Sequence, residues 1–304
     1  MSWVFLTPRD AYKLKKPVRF PYLDFATLAA RRHYCRAELR LNRRLAPAVY
    51  LGLRRLALGQ DGRLRVDGTG RTVDWLVHMR RLPAARSLER KIKTGRVRPD
   101  EARAAADVLA AFFAARRPAP VRPAVYVGHF VREVKATRTD LLRPRYGAEP
   151  ATVERTVDAL LKFLDRRSAI LRRRVAMGRI VEGHGDLRPE HVYLIDPPAV
   201  IDCLEFDRRL RILDPADELA YLAMECDRLG APAVGRAILG HALARLGDRP
   251  PVSLVAFYKA YRALLRARIA AWHLDDQSVR SPAKWRRRTR TYLRLAAGYA
   301  ARMR

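Results

Sequence analysis

The 304-residue chain contains no run of about 18 apolar residues, which leaves nothing that reads as a membrane-spanning helix. Its opening, MSWVFLTPRDAYKLKKP, lacks the basic start and apolar stretch of a secretory leader, so the expectation is a cytoplasmic protein. Cysteine is scarce: Cys35, Cys203 and Cys226 lie far apart and form no C-x-x-C pair. That argues against a zinc site or a disulfide framework and for thiols packed as small hydrophobes. Acids are scarce too, 31 against 62 basic residues, giving a formal charge of +31. Lysine is rarer still, at nine positions, the other basic residues being arginine. Glycine is missing from the first 51 residues, the first being Gly52. No glycine-rich loop can therefore precede the lysines at 13, 15 and 16.

What is present is enough apolar material for a large core, 49% hydrophobic residues with 8% aromatics. The charge invites a nucleic-acid reading, because clustered cations displace counterions from phosphates. The spread of arginine from Arg9 to Arg304 weakens it and points to a bias toward Arg and Ala. The densest run, KWRRRTRTYLRL at 284–295, reads as a solvated helix face, with a phosphate-binding patch as the sharper alternative.

Apolar periodicity divides the chain near residue 83. Segments 4–6, 11–16, 49–58, 63–68 and 72–82 read as strands, and 24–46 as one helix with Asp24 as N-cap. Beyond, helices are expected over 84–93, 99–116, 127–143, 151–177, 215–229, 231–246, 252–275 and 281–303, with short strands at 191–196 and 199–206. The fold class is α+β and bilobal: a small antiparallel-sheet lobe over 1–83, whose first strand is expected to be missing, and a helical lobe over 84–304.

Two acidic stretches carry chemistry. HGDLRPEH at 184–191 is close to the H-R-D-L-x-x-x-N catalytic loop of protein kinases, and IDCLEF at 201–206 follows across a hairpin. Asp186 and Asp202 are then a pair of the kind phosphoryl transfer needs. Asp186 would deprotonate the acceptor hydroxyl and Asp202 would hold a divalent ion, since Mg²⁺ prefers carboxylate oxygen. Arg188 would neutralise charge on the phosphoryl group. Glu38 lies on an apolar stripe with Tyr34, Leu41 and Leu45 and wants a cation, either a strand lysine or a neighbouring arginine. His33, His78, His129, His241 and His273 lack such context and read as surface or packed residues.

GHGDLRPEHVYLID, IDCLEF and LDPADELAYL together resemble the aminoglycoside phosphotransferase-like family, in particular a bacterial subgroup of unknown substrate in which the domain is sometimes fused to a P-loop kinase-like domain. VFLTPRDAYKLKKPV resembles its lysine strand and WLVHMRRLP its hinge, at Met79. The resemblance implies a protein-kinase-like fold, ATP and Mg (or Mn) as cofactors, Asp186 as base, Asp202 as metal ligand, Lys13 on the nucleotide phosphates paired with Glu38, and Asp217 as a brace of the catalytic loop. Strand periodicity puts Lys13 and Lys15 on one face and does not choose between them; Lys13 is taken.

The loop departs from the family at its metal-binding asparagine, which is His191 here. Imidazole suits Mn²⁺ or Zn²⁺ better than Mg²⁺, so His191 either coordinates or braces the loop, and bracing is favoured. The expected activity is ATP-dependent transfer of the γ-phosphoryl group to a hydroxyl of a small molecule. A polycationic aminoglycoside fits a protein of this charge poorly, and a neutral or anionic acceptor fits it better. The alternatives are a pseudokinase that binds nucleotide or a partner, such as a P-loop kinase-like protein, and an arginine-rich nucleic-acid-binding module.

Overall fold

The computed structural model describes residues 2–20, 23–276 and 281–303. Two compact units share the chain: residues 1–115 with 184–212 form one, and 116–183 with 213–304 the other. Residue 83, where the composition changes, lies inside the first unit.

In the first unit five strands form one antiparallel sheet: β1 (Ser2–Leu6), β2 (Asp10–Lys15), β3 (Tyr50–Leu58), β4 (Leu64–Val66) and β5 (Arg71–Arg80). Their order is β1-β2-β5-β3-β4. The TPRD turn closes the first hairpin, where the Asp10 amide donates to the Thr7 hydroxyl at 2.9 Å. Lys13 stands opposite Val4 on one side and Val77 on the other, and Ala11 opposite Met79. The apolar face of the sheet, with Ala11, Val77 and Met79, is covered by helix α1 (Leu28–Asn42), which packs on β3 and β5.

Helix α1 is shorter than the expected 24–46. Its N-cap is Thr27, whose hydroxyl accepts from the Ala30 amide at 3.1 Å, while Asp24 turns its carboxylate to the Ala26 amide at 2.9 Å. A side chain two residues from its amide partner makes a local turn and leaves the first helical amides to the next capping residue. The expected helix 84–93 is likewise split. A single 3₁₀ turn at Ala84–Arg86 precedes α2 (Leu88–Lys93), because Ser87 is extended and caps the amide of Arg90. Helix α3 (Pro99–Ala114) completes the helical part of this unit.

The second unit is helical: α4 (Pro123–Leu141), α5 (Pro150–Ala176), α6 (Pro215–Arg228), α7 (Pro232–Arg245), α8 (Val252–Trp272) and α9 (Pro282–Ala300). Proline opens five of these six, where its missing amide costs nothing. Helix α8 packs against α4, α6 and α9, and Phe257 on it stacks on Phe163 at 4.6 Å between ring centres. Buried charge is paired. Arg174 reaches Asp214 at 2.6 Å and Asp248 at 2.5 Å, and the Tyr258 hydroxyl donates to Asp214 at 2.9 Å.

Among the described residues no helix is long and apolar enough to cross a membrane. All three cysteines are buried, and burial pushes the Cys35 and Cys226 thiols up to about 12.

Candidate functional site

Every residue singled out in the two acidic stretches and on the lysine strand lies in the first unit, although 184–212 is remote from 1–115 in sequence. Tertiary packing joins them through α1. Glu38 is fully buried and takes a lysine on each oxygen, Lys13 on Oε1 at 2.8 Å and Lys15 on Oε2 at 2.7 Å. Lys13 also donates to Asp202 Oδ1 at 2.6 Å, and Lys15 to Glu205. Two lysines and three carboxylates thus form one chain of ion pairs.

The two lysines are not equivalent. Lys15 has no exposed side-chain surface and is bounded by Glu38, Glu205 and, at 4.8 Å, the face of Phe25. Lys13 keeps 16% exposure and opens onto a cavity of about 610 Å³, which Val4, Ala11, Met79, His191 and Asp202 also line. A volume of that size suits a ligand as large as a nucleotide.

Electrostatics follow from the pairing. Burial alone would lower the Lys13 ammonium, but the Asp202 and Glu38 carboxylates overcome this and hold it well above its ordinary value. Lys15 is raised in the same way, against burial, by Glu38 and Glu205. Burial pushes Glu38 up while Lys13 and Lys15 pull it down further, leaving it lowered. The Lys13 charge likewise pulls Asp202 far below the usual carboxylate range, although that side chain keeps 44% exposure and water screens the pair. Glu205 goes the other way, raised by burial and by the Glu38 charge.

The backbone around Asp202 is held from α1. Asn42, one turn beyond Glu38, donates to the Glu38 carbonyl at 2.9 Å and accepts from the Cys203 amide at 2.9 Å. The Asp202 amide donates to the Tyr50 hydroxyl at 3.2 Å. Asp202 itself sits at φ 64, a left-handed conformation that costs a non-glycine residue free energy and persists where neighbours enforce it. The expected strand 199–206 accordingly pairs only over Ala199–Val200, against Val192–Tyr193, because the chain leaves extended geometry at Asp202.

In the 184–191 loop Gly185 has φ 89, and a Cβ there would meet the Leu210 carbonyl at 3.2 Å, so only glycine fits. His184 is fully buried. Its Nε2 donates to the Ile201 carbonyl at 2.8 Å and its Nδ1 accepts from the Asp186 amide at 3.3 Å. Burial pulls this imidazole down to about 4, with the neighbouring His191 as the second cause. His191 Nδ1 donates to the Asp186 carbonyl at 2.8 Å, so its Nε2 accepts, taking a hydrogen bond from Arg188 Nη2 at 3.4 Å and lying 3.4 Å from Asp202 Oδ2. Arg188 pairs with Asp186 at 3.1 Å and with Glu190 at 2.7 Å.

His191 thus stands by both carboxylates, Nδ1 being 3.9 Å from Asp186 Oδ2. A lone pair and a carboxylate oxygen facing each other suit a cation, and here the Arg188 guanidinium is the cation beside that lone pair. Among the described residues no group of three or more His, Cys, Asp or Glu side chains converges for a metal ion. Asp202 and His191 are therefore a two-donor set. Asp217 lies in the second unit, where Arg262 takes both its oxygens at 2.8 and 2.6 Å.

Sequence reasoning missed Glu205, Asn42 and Tyr50. Glu205 is three residues past Asp202 in IDCLEF, and Asn42 is one helical turn past Glu38, a spacing that puts both on one face. Those spacings were available signals. Nothing in the sequence marks Tyr50.

No family model matches the chain. An uncharacterized protein of Mycobacterium tuberculosis (strain H37Rv) is 34% identical over 269 residues, covering 88% of this chain and 52% of the relative, and an uncharacterized protein of Mycobacterium bovis matches equally. The chain spans about half the length of the curated relatives it matches. Among solved structures, a glucosamine kinase in complex with glucosamine, ADP and inorganic phosphate is 16% identical, covers 95% of this chain and 78% of its own, and superposes with a TM-score of 0.52. An ethanolamine kinase of Plasmodium vivax is 11% identical over 94% of this chain and 75% of its own, at a TM-score of 0.50. At such identities the likeness concerns the fold: an antiparallel five-stranded N-terminal sheet with a mainly helical remainder, protein-kinase-like.

Proposed function

We propose that the chain is an ATP-dependent phosphotransferase that moves the γ-phosphoryl group to a hydroxyl of a small molecule. The observation that carries this reading is Lys13, held by Glu38 and touching Asp202 at the wall of the 610 Å³ cavity. A lysine fixed by a buried carboxylate, beside a second carboxylate and an open volume, is what binding a nucleotide triphosphate requires. Glu38 orients the ammonium, and Met79 and Ala11 form apolar wall for the base.

In this reading Asp186 accepts the proton of the attacking hydroxyl and Arg188 offsets charge on the transferred group. Asp202 and His191 would hold Mg²⁺ or Mn²⁺, which would supply charge neutralisation at the phosphates. Two protein donors leave the other positions to phosphate oxygens and water, the usual arrangement for a hard ion. His191 serves the loop as well, since its Nδ1–H ties the ring to the Asp186 carbonyl. The acceptor is a neutral or anionic metabolite, in keeping with the charge of +31. The mycobacterial relatives continue beyond the matched part, which leaves room for a P-loop kinase-like partner, fused or separate.

One observation favours nucleotide binding without transfer: the Asp186 carboxylate is paired with Arg188. ADP release over a panel of hydroxyl metabolites, together with nucleotide titration calorimetry, distinguishes the two readings. For an active enzyme Asp186→Asn lowers turnover by about 10²- to 10⁴-fold with nucleotide affinity retained. Wild-type turnover in that variant removes Asp186 from the reaction, and nucleotide binding without turnover on any acceptor supports the second reading.

A further inference from the structure

The second unit carries a concentration of charge that phosphoryl transfer does not use. Helices α5 and α9 pack along each other, and two cavities of about 590 and 440 Å³ lie in the groove they form. Arg155, Lys162, Arg166 and Arg167 of α5 line the larger. Arg287, Arg290 and Arg294 of α9 line the smaller. All seven are exposed, and among the described residues none makes an ion pair.

Elsewhere some exposed arginines take an acid, as Arg98 takes Asp100 at 2.7 Å, Arg138 takes Glu154 at 2.7 Å and Arg209 takes Asp207 at 2.8 Å, and others such as Arg36, Arg40, Arg103 and Arg117 take none among the described residues but line neither cavity; the groove is set apart by seven such cations lining its two cavities. Along the groove one acid, Glu149, lines a cavity, and it receives the Thr152 hydroxyl. The exposed Asp158 and Asp165 of α5 line neither cavity.

We infer that this groove binds the sugar-phosphate backbone of a single-stranded nucleic acid. From Thr152 to Arg167 helix α5 rises about 22 Å at 1.5 Å per residue, long enough to track several consecutive phosphates. Six of the seven cations are arginine, whose planar fork matches phosphate oxygens two at a time. The cavity floor is apolar and closed, with Phe163 and Met303 buried, so no aromatic face is offered to a base and binding is independent of sequence. Recesses of a few hundred Å³ admit a flexible chain, whereas a rigid duplex or a flat membrane bridges over them. An acidic peptide would also bring backbone amides and carbonyls, for which two helices offer no strand edge.

The test uses the full chain and a fluorescent oligo(dT) of about 20 nucleotides, with anisotropy followed from about 50 to about 200 mM salt. Seven cations acting on a single strand predict a log–log slope near −5, about 0.7 per phosphate contact. Substituting Arg155, Arg166, Arg290 and Arg294 together by Gln lowers the slope by about 3 and the affinity at least about tenfold, while Lys at the same four positions retains the slope. Neutralising four exposed arginines elsewhere, Arg36, Arg40, Arg103 and Arg117, removes equal charge and changes affinity less than about threefold. Equal losses in the two neutralised variants, an unchanged groove variant, or competition by polyglutamate as effective as by unlabelled oligo(dT) would overturn the assignment.

Discussion

The lysine network of the first unit and the arginine groove of the second both gather cations, yet they are built on opposite terms. In the network each cation is set against two carboxylates, the part-buried Lys13 against Glu38 and Asp202 and the fully buried Lys15 against Glu38 and Glu205. In the groove seven cations face water, with no ion pair among the described residues. Burial explains the difference. Removing an ammonium from water costs several kcal/mol unless an anion and hydrogen bonds replace the solvent, so a buried cation is specified together with its partners. A solvated guanidinium meets no such cost and can stay unpaired, at the expense only of mild repulsion. The network fixes a geometry, and the groove creates a field.

The comparison breaks most readily at Lys15. Lys15→Met leaves Glu205 buried without its cation and Glu38 with one in place of two, and should lower unfolding free energy by about 3–5 kcal/mol in urea titration. Lys13→Met keeps the Lys15–Glu38 pair and should weaken nucleotide binding more than it weakens the fold. If the two variants destabilise equally, the division between a structural and a ligand-facing lysine fails.

A smaller effect is expected on acidification. His184 is neutral in the native state down to about 4, whereas in the unfolded chain it takes a proton below its ordinary 6.5. The unfolded state therefore binds the extra proton between those values, and stability is lost as pH falls through that window, by up to about 3 kcal/mol, with no further loss from this group below it. The added proton falls on Nδ1, the atom that accepts the Asp186 amide, so acid also unlatches the loop. Urea midpoints from neutral pH to about pH 4 should show a one-proton slope that His184→Gln flattens; an equal slope in the variant places the acid loss elsewhere.

The smallest effect belongs to the groove. Arg166→Gln and Arg290→Gln should each change stability by less than about 0.5 kcal/mol, toward stabilisation at low salt, because each removes repulsion and no partner. Destabilisation by more than about 1 kcal/mol in thermal or urea unfolding would mean that these arginines hold the helices together, and the contrast with the network would disappear.

The sequence by itself determined the local parts: the order of strands and helices, read from apolar periodicity, and the loop in which Gly185 permits a sharp turn before Asp186. These depend on residues a few positions apart, so spacing reveals them. Helix ends were less legible. Thr27 in place of Asp24, and Ser87 inside the expected helix 84–93, were chosen by which side chain reaches a free amide. The tertiary structure alone decided that Lys13 opens onto the cavity while Lys15 is sealed beneath it, that both share Glu38, and that Glu205, Asn42 and Tyr50 join residues more than 150 positions away. It also decided that scattered arginines gather along α5 and α9. Periodicity gives the face on which a side chain lies, whereas its partner and its distance from water are set by packing between segments remote in the chain.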